Sequence, residues 1–184
     1  DMISGTSLSP SPAGLQRFYD NIETYRKKII LRPEEISNNG EVVRRIGVIG
    51  MNTALEMDIY GHVNSTHVTG TKMMNGIATL IFLLLLPQHH ENGDISAVVP
   101  MCSHVDHTEH DTHVFISEQG IADVRGLTPK ERAKVIINNV AHPDYRDLLM
   151  DYYERACAAC GNSQTPHILK EAFAFHERLA ETGS

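Results

Sequence analysis

Apolar residues recur at helical spacing early in the chain, at Leu15, Phe18, Tyr19, Ile22 and Tyr25. Ser11-Pro12 stands just before them, a cap followed by a residue suited to a first turn, so a helix is predicted from there. Ile29 to Leu31 is a short apolar run stopped by Arg32-Pro33. Asn38-Asn39-Gly40 then opens a short helix through Val42, Val43 and Ile46, and the run from Gly47 to Met51 reads as a buried strand. After it the pattern shortens. Met57, Ile59 and Val63 belong to short strands around a turn at Gly61, and Asn64-Ser65-Thr66 reads as a polar loop.

The longest apolar run, Ile77 to Leu86, is broken only by Thr79. Its length suits a buried strand or part of a buried helix, and falls well short of the roughly 20 residues of a membrane span. Glu91 to Asp94 reads as a turn, Ile95 to Val99 as a second buried strand closed by Pro100, and His113 to Ser117 as a third. The last third is helical. Thr128-Pro129-Lys130-Glu131 combines an N-cap, a first-turn proline and a capping-box glutamate, ahead of an inward face of Ala133, Ile136, Ile137 and Val140. Pro143 opens the next helix, with Leu148, Leu149, Tyr152 and Ala156 on one side and Gly161 as its stop. Thr165-Pro166 is expected to open the last, through Leu169, Phe173, His176 and Leu179. This order of helix, strands and three helices favours an α/β layered fold with the final helices against the sheet.

Composition refines this picture. The chain has 184 residues, 41% of them apolar, enough for one globular domain over 1–184. Net charge is −7 with a pI near 5.8. The pairs Lys27-Lys28 and Arg44-Arg45 are too short to form a nucleic-acid surface, so neither nucleic acid nor membrane is an expected partner. The N-terminal residues lack the order of a secretory signal. Three cysteines suit a reducing compartment, and Cys157 and Cys160 read as packing at a helix end, since no second such pair completes a zinc site.

Two groups of residues could carry chemistry. Residues 104–113 hold His104, His107, His110 and His113 with three acids among them. Such a set could bind zinc or iron and serve a metal-dependent hydrolase, although the spacing fits no metal signature well. The blander reading is a polar loop of hydrogen-bonded histidines. The second group is carboxylates at strand ends: Glu56 and Asp58 after the Gly47–Met51 run, and Glu118 after His113–Ser117. In open α/β sheets, ligands bind beyond the carboxyl ends of strands, and Gly120 beside Glu118 would let backbone approach a ligand.

Several stretches together resemble one family. They are Asn52 through Gly61, Val63 through Val68, Met73 through Ile77, Val99-Pro100-Met101, Ser103 through Asp111, Ser117 through Leu127, Ala141 through Arg146, and Thr165-Pro166-His167. In this order they are similar to the C-terminal domain of the acetyl-CoA hydrolase/transferase family, which includes succinyl-CoA:acetate CoA-transferases. The resemblance implies an open α/β/α layered, NagB/RpiA-like domain. It also implies chemistry that moves CoA between small carboxylic acids such as acetate and succinate, through a glutamyl-CoA thioester. The partners would be acyl-CoA and carboxylate, with no metal and no cofactor beyond the coenzyme A thioester substrate. The cytoplasm is the expected compartment, mitochondria the alternative, and a homodimer is open.

Carried over residue by residue, Glu118 matches the family's second active-site glutamate. Asn38 matches an asparagine that contacts the acyl group, and Leu55 falls where backbone lines the CoA site. Glu91 falls where relatives carry a CoA-contacting lysine, and an acid there would repel CoA phosphates. Two departures point to a fragment inactive alone. The family's nucleophilic glutamate lies upstream of the segment matching Ser4 to Leu8, and its glycine-rich loop is missing where Ile77 runs into Ala78-Thr79-Leu80. That loop would supply an oxyanion hole. A third reading is a non-catalytic remnant whose Ile77–Leu86 run is exposed or covered by a partner.

Overall fold

A computed structural model describes residues 2–6, 8–47, 49–74, 83–86 and 96–182. The chain divides into two compact units, Asp1–Val48 and Ile49–Ser184.

In the first unit, β1 (Ile3–Gly5) pairs in parallel with β2 (Ile29–Leu31), and α1 (Pro12–Asp20) and α2 (Ile22–Tyr25) lie between them in sequence. Ser11 caps α1, its hydroxyl accepting the Gly14 N–H at 3.2 Å. After α3 (Glu34–Ser37), Asn39 caps α4 (Gly40–Ile46) by accepting from the N–H groups of Glu41 and Val42. The expected strand from Gly47 to Met51 is not formed as such. Gly47 has a left-handed φ of 69° and ends α4 by donating its N–H to the Val43 carbonyl. Ile49 and Met51 are exposed, and the strand starts at Met51. An apolar run could not reveal that its first glycine belongs to the helix before it.

The second unit holds the core. Its main sheet has the order β11-β10-β8-β3, from β3 (Met51–Thr53), β8 (Leu83–Leu86), β10 (Val114–Ser117) and β11 (Gly120–Asp123). The first three are parallel, and β11 folds back antiparallel on β10. A smaller sheet runs β5-β4-β9, from β4 (Glu56–Asp58), β5 (Val63–Asn64) and β9 (Val98–Val99), turning at Gly61 with φ 99°. A hairpin of β6 (His67–Val68) and β7 (Lys72–Met73) follows β5. The segment Asn64-Ser65-Thr66 does turn, but it is buried. The part of the long apolar run before Leu83, the turn at Glu91–Asp94 and Ile95 lie outside the described residues.

Helix α5 (Pro129–Asn139) begins with the expected capping box, closed by Thr128 and Glu131, and packs against β11 and α6 (Pro143–Cys160). Ala133, Ile136, Ile137 and Val140 are all fully buried, as the periodicity requires. Helix α6 carries Cys157 and Cys160 in its last turn, and both are free thiols. Its inward face is Tyr145, Leu149, Tyr152, Tyr153 and Ala156, while Leu148 is exposed rather than on that side.

The last helix, α7, spans Ala174–Thr182, later than Thr165-Pro166 suggested. Its expected start is tied down by tyrosines. The Tyr60 hydroxyl donates to the Pro166 carbonyl at 2.5 Å, and the Tyr152 hydroxyl accepts the Ile168 N–H at 3.2 Å. Backbone groups that would open a helix are thus engaged by side chains from the core. The result is the expected α/β layered domain, with α5 against the sheet and α6 against α5. No helix among the described residues is long and apolar enough to cross a membrane.

Candidate active site

Three parallel strands in register place their carboxyl ends on one edge of the main sheet. Thr53 pairs with Leu85, and Leu86 with Ser117. The chain leaves β3 into Ala54-Leu55 and leaves β10 into Glu118. Leu55 and Glu118 therefore lie off the same edge, separated by β8, or about 10 Å at two strand spacings. Leu55 is half-buried, and its N–H donates to the Asn64 carbonyl at 2.9 Å. Asn38 is half-buried in the other unit, one residue before the cap of α4.

Glu118 is exposed in the two-residue turn joining β10 to β11. That turn is held from both sides. The Ser117 hydroxyl donates to the Val140 carbonyl at 2.8 Å and accepts the Gln119 N–H at 3.1 Å. Gly120 has φ 153°, and a Cβ there would sit 2.9 Å from the Asn139 carbonyl oxygen. Glycine is thus required by conformation and by the backbone behind it. Gly120→Ala is expected to destabilise the second unit by about 1–3 kcal/mol from backbone strain, before any cost of displacing Asn139. Urea denaturation of the variant would measure it, and an unchanged midpoint would contradict this account of the turn.

Glu56 and Asp58 turn out to be engaged by protein partners, Asp58 buried and Glu56 half-buried. Asp58 Oδ1 accepts the N–H groups of Tyr60, Gly61 and His62, each at 3.0 Å, which shapes the turn between β4 and β5. Glu56 Oε1 accepts from Asn64 Nδ2 at 2.9 Å, Ser103 N at 2.8 Å and Ser103 Oγ at 2.7 Å. Its Oε2 meets His176 Nε2, on α7, at 2.7 Å. Burial alone would raise the Glu56 carboxyl, but the hydrogen bond and charge of His176, with the hydrogen bonds from Asn64 and Ser103, outweigh it and hold the group below its ordinary value. His176 Nδ1 is buried with no partner among the described residues.

The histidine-rich loop distributes its side chains rather than converging them. His104 Nε2 lies 3.1 Å from Asp106 Oδ1, and its ring packs on His67 with centroids 3.8 Å apart. Asp106 is committed to Ser65 N at 2.7 Å and to Thr66 Oγ1 at 2.9 Å. His107 is buried in a bridge to Val63, and His110 is exposed beside Glu109. Among the described residues no three His, Cys, Asp or Glu side chains are grouped to hold a metal. The metal-dependent hydrolase built on His104, His107, His110 and His113 is therefore not supported. Asp106 is spent on Ser65 and Thr66, and His107 Nε2 is buried with no partner among the described residues.

The sequence pattern of the acetyl-CoA hydrolase/transferase C-terminal domain matches residues 14–153. The chain belongs to this family. Among its relatives, the succinyl-CoA:acetate CoA-transferase of Clostridium kluyveri is 55% identical, aligned over 100% of this chain and 36% of that protein. The propanoyl-CoA:succinate CoA transferase of Escherichia coli is 49% identical over 98% of this chain and 38% of its own length. The acetyl-CoA hydrolase of Neurospora crassa is 44% identical over 100% and 38%. The chain thus spans little more than a third of each relative.

Among solved structures, RipA from Yersinia pestis superposes with a TM-score of 0.59 at 26% identity, covering 72% of this chain and 34% of that one. The 4-hydroxybutyrate CoA-transferase of Porphyromonas gingivalis gives 0.60 at 22% identity, covering 84% and 37%, a likeness of fold. The alignment with the Clostridium enzyme runs to 192 positions for the 184 residues of this acetyl-CoA hydrolase/transferase family chain, so that relative carries residues absent here.

Reading the sequence missed His176 as the partner of Glu56. It sits at a helical position shared with Phe173 and Leu179, where a histidine reads as part of a packed face. Its only clue was that the residue is polar. The pairing spans 120 positions.

Proposed function

We propose that this chain forms one wall of the active site of an enzyme that moves CoA between small carboxylic acids, with acetyl-CoA and succinyl-CoA among its thioesters. The observation that carries this reading is the placement of Leu55 and Glu118 off one edge of the parallel strands. They stand there in a family whose similar members are named CoA-transferases and acetyl-CoA hydrolases.

In this reading a glutamate carboxylate outside the chain attacks the acyl-CoA carbonyl. The C–S bond breaks, leaving a mixed anhydride and the CoA thiolate. The thiolate attacks the glutamyl carbonyl and releases the first carboxylate, forming the glutamyl-CoA thioester; the acceptor acid reverses both steps. Water intercepting the thioester gives hydrolysis. Glu118 positions substrate and nucleophile, Asn38 contacts the acyl group, and backbone at Leu55 lines the CoA site. The chemistry asks for no cofactor besides the CoA thioester itself. The cytoplasm, with mitochondria as the alternative, and a homodimer belong to the same reading.

Equilibrium dialysis with CoA and a succinyl-CoA:acetate exchange assay on the purified chain test it together. Weak CoA retention without exchange is expected. Exchange by the chain alone would place the nucleophile within it, and failure to retain CoA at millimolar concentration would remove the proposed wall.

A further inference from the structure

His62 lies between two carboxylates. Its Nδ1 is 2.9 Å from Asp58 Oδ2 and its Nε2 is 2.7 Å from Glu109 Oε2. Only the imidazolium carries a proton on both nitrogens, so this geometry is that of the charged ring. The two contacts differ in what surrounds them. The Asp58 side chain is 2% exposed, and its other oxygen is fixed by three backbone N–H groups. The Glu109 side chain is 18% exposed, at the outer end of the loop.

The base of that loop is anchored independently of His62. Asp106 N and Val63 N bond across the Val63–His107 bridge, and the Asp106 carboxylate holds Ser65 and Thr66.

We propose that residues 108–111 form a pH-sensitive strap, latched to the β4–β5 turn by protonated His62 through Glu109 and released as pH rises. When the ring loses one proton, the remaining one stays with Asp58, the immobile acceptor. The Nε2 lone pair then faces the Glu109 carboxylate, and attraction becomes repulsion. The other groups facing this pair set limits on the release. His110 Nε2, 3.3 Å from Glu109 Oε1, reinforces the latch when charged. Arg132 donates to the Glu109 carbonyl from α5 at any pH in this range. His167, across Asp58, is lowered by burial, so it gives up its proton at a lower pH than His62 does.

The sign follows from the same contacts. The hydrogen bond to Asp58 leads the effects that raise His62 above 6.5, with the charges of Asp58 and Glu109, against burial, which lowers it. A group raised in the folded state contributes fully below its ordinary value and loses that contribution as pH climbs through the raised one. The strap is therefore closed below the ordinary imidazole value of 6.5 and opens as pH climbs through the raised His62 midpoint. This inference does not rest on the CoA chemistry proposed above.

Amide hydrogen exchange on the intact chain, corrected for the intrinsic pH dependence and combined with an NMR titration of the His62 ring, tests it. Protection at the Asp111 amide, which donates to the Thr108 carbonyl at 3.1 Å, should fall by up to about tenfold per pH unit above the His62 midpoint, the limit for one coupled proton. The amides of Asp106 and His107 should hold. In Glu109→Gln the His62 midpoint should drop and the step in protection should disappear. A wild-type strap without a step overturns the proposal, as does a step that persists in Glu109→Gln. Should that variant not fold, the wild-type profile alone decides.

Discussion

Glu118→Gln should lower turnover by about 10²-fold, the scale of misplacing a reacting group by roughly an ångström. The measurement needs a complete enzyme. A suitable one is a chimera carrying this chain, with the relative's own loop inserted after Ile77, in place of the matching 36% of the Clostridium kluyveri succinyl-CoA:acetate CoA-transferase. The size of the effect rests on how firmly the turn is held. Ser117 ties it to the Val140 carbonyl, and Gly120 lies flush against Asn139. The carboxylate is thus presented from a fixed frame, and an amide of the same shape keeps the frame while removing the charge. KM for acyl-CoA should change little, because the proposed CoA wall at Leu55 leaves a different strand. Unaltered kcat in the Gln variant would put Glu118 outside the site.

The largest stability effect is expected at Phe115→Ala, with a loss of about 3–5 kcal/mol. Phe115 is fully buried in β10, flanked in register by Leu84 of β8 and Ala122 of β11. Its ring edge is 3.4 Å from where a Cβ on Gly61 would stand, so the β4–β5 turn closes directly over it. Removing the ring opens a cavity between the sheet and that turn, and neither side can collapse without breaking its own hydrogen bonds. Against a typical domain stability of about 5–15 kcal/mol, the loss is about a fifth or more. Ile121→Ala, at a 59% exposed position on the adjacent strand, should stay within about 0.5 kcal/mol. Urea titrations followed by circular dichroism compare the two, and equal midpoints would contradict the assignment of Phe115 to the core.

The candidate site was legible only in part. Glu118 and Gly120 stand out because a strand end, a turn and a glycine are neighbours in sequence. Glu56 and Asp58 drew notice for the same reason, but their neighbours suggested a ligand and the fold supplied protein partners instead. The four histidines of residues 104–113 were conspicuous by composition, and composition could not say that Asp106 would turn towards Ser65 and Thr66.

What the sequence determined by itself was local. The caps at Ser11, Asn39 and Thr128, the inward stripe of α5 and the stop at Gly161 each depend on hydrogen bonds or periodicity within a few residues, so they can be read from spacing alone. The tertiary structure alone decided that Tyr60 and Tyr152 delay the last helix to Ala174, and that Glu56 and His62 face their partners. Those outcomes join groups far apart along the chain. They form only once burial of the core has met the entropy cost of closing the loops between them, and no short window of residues records which contacts then result.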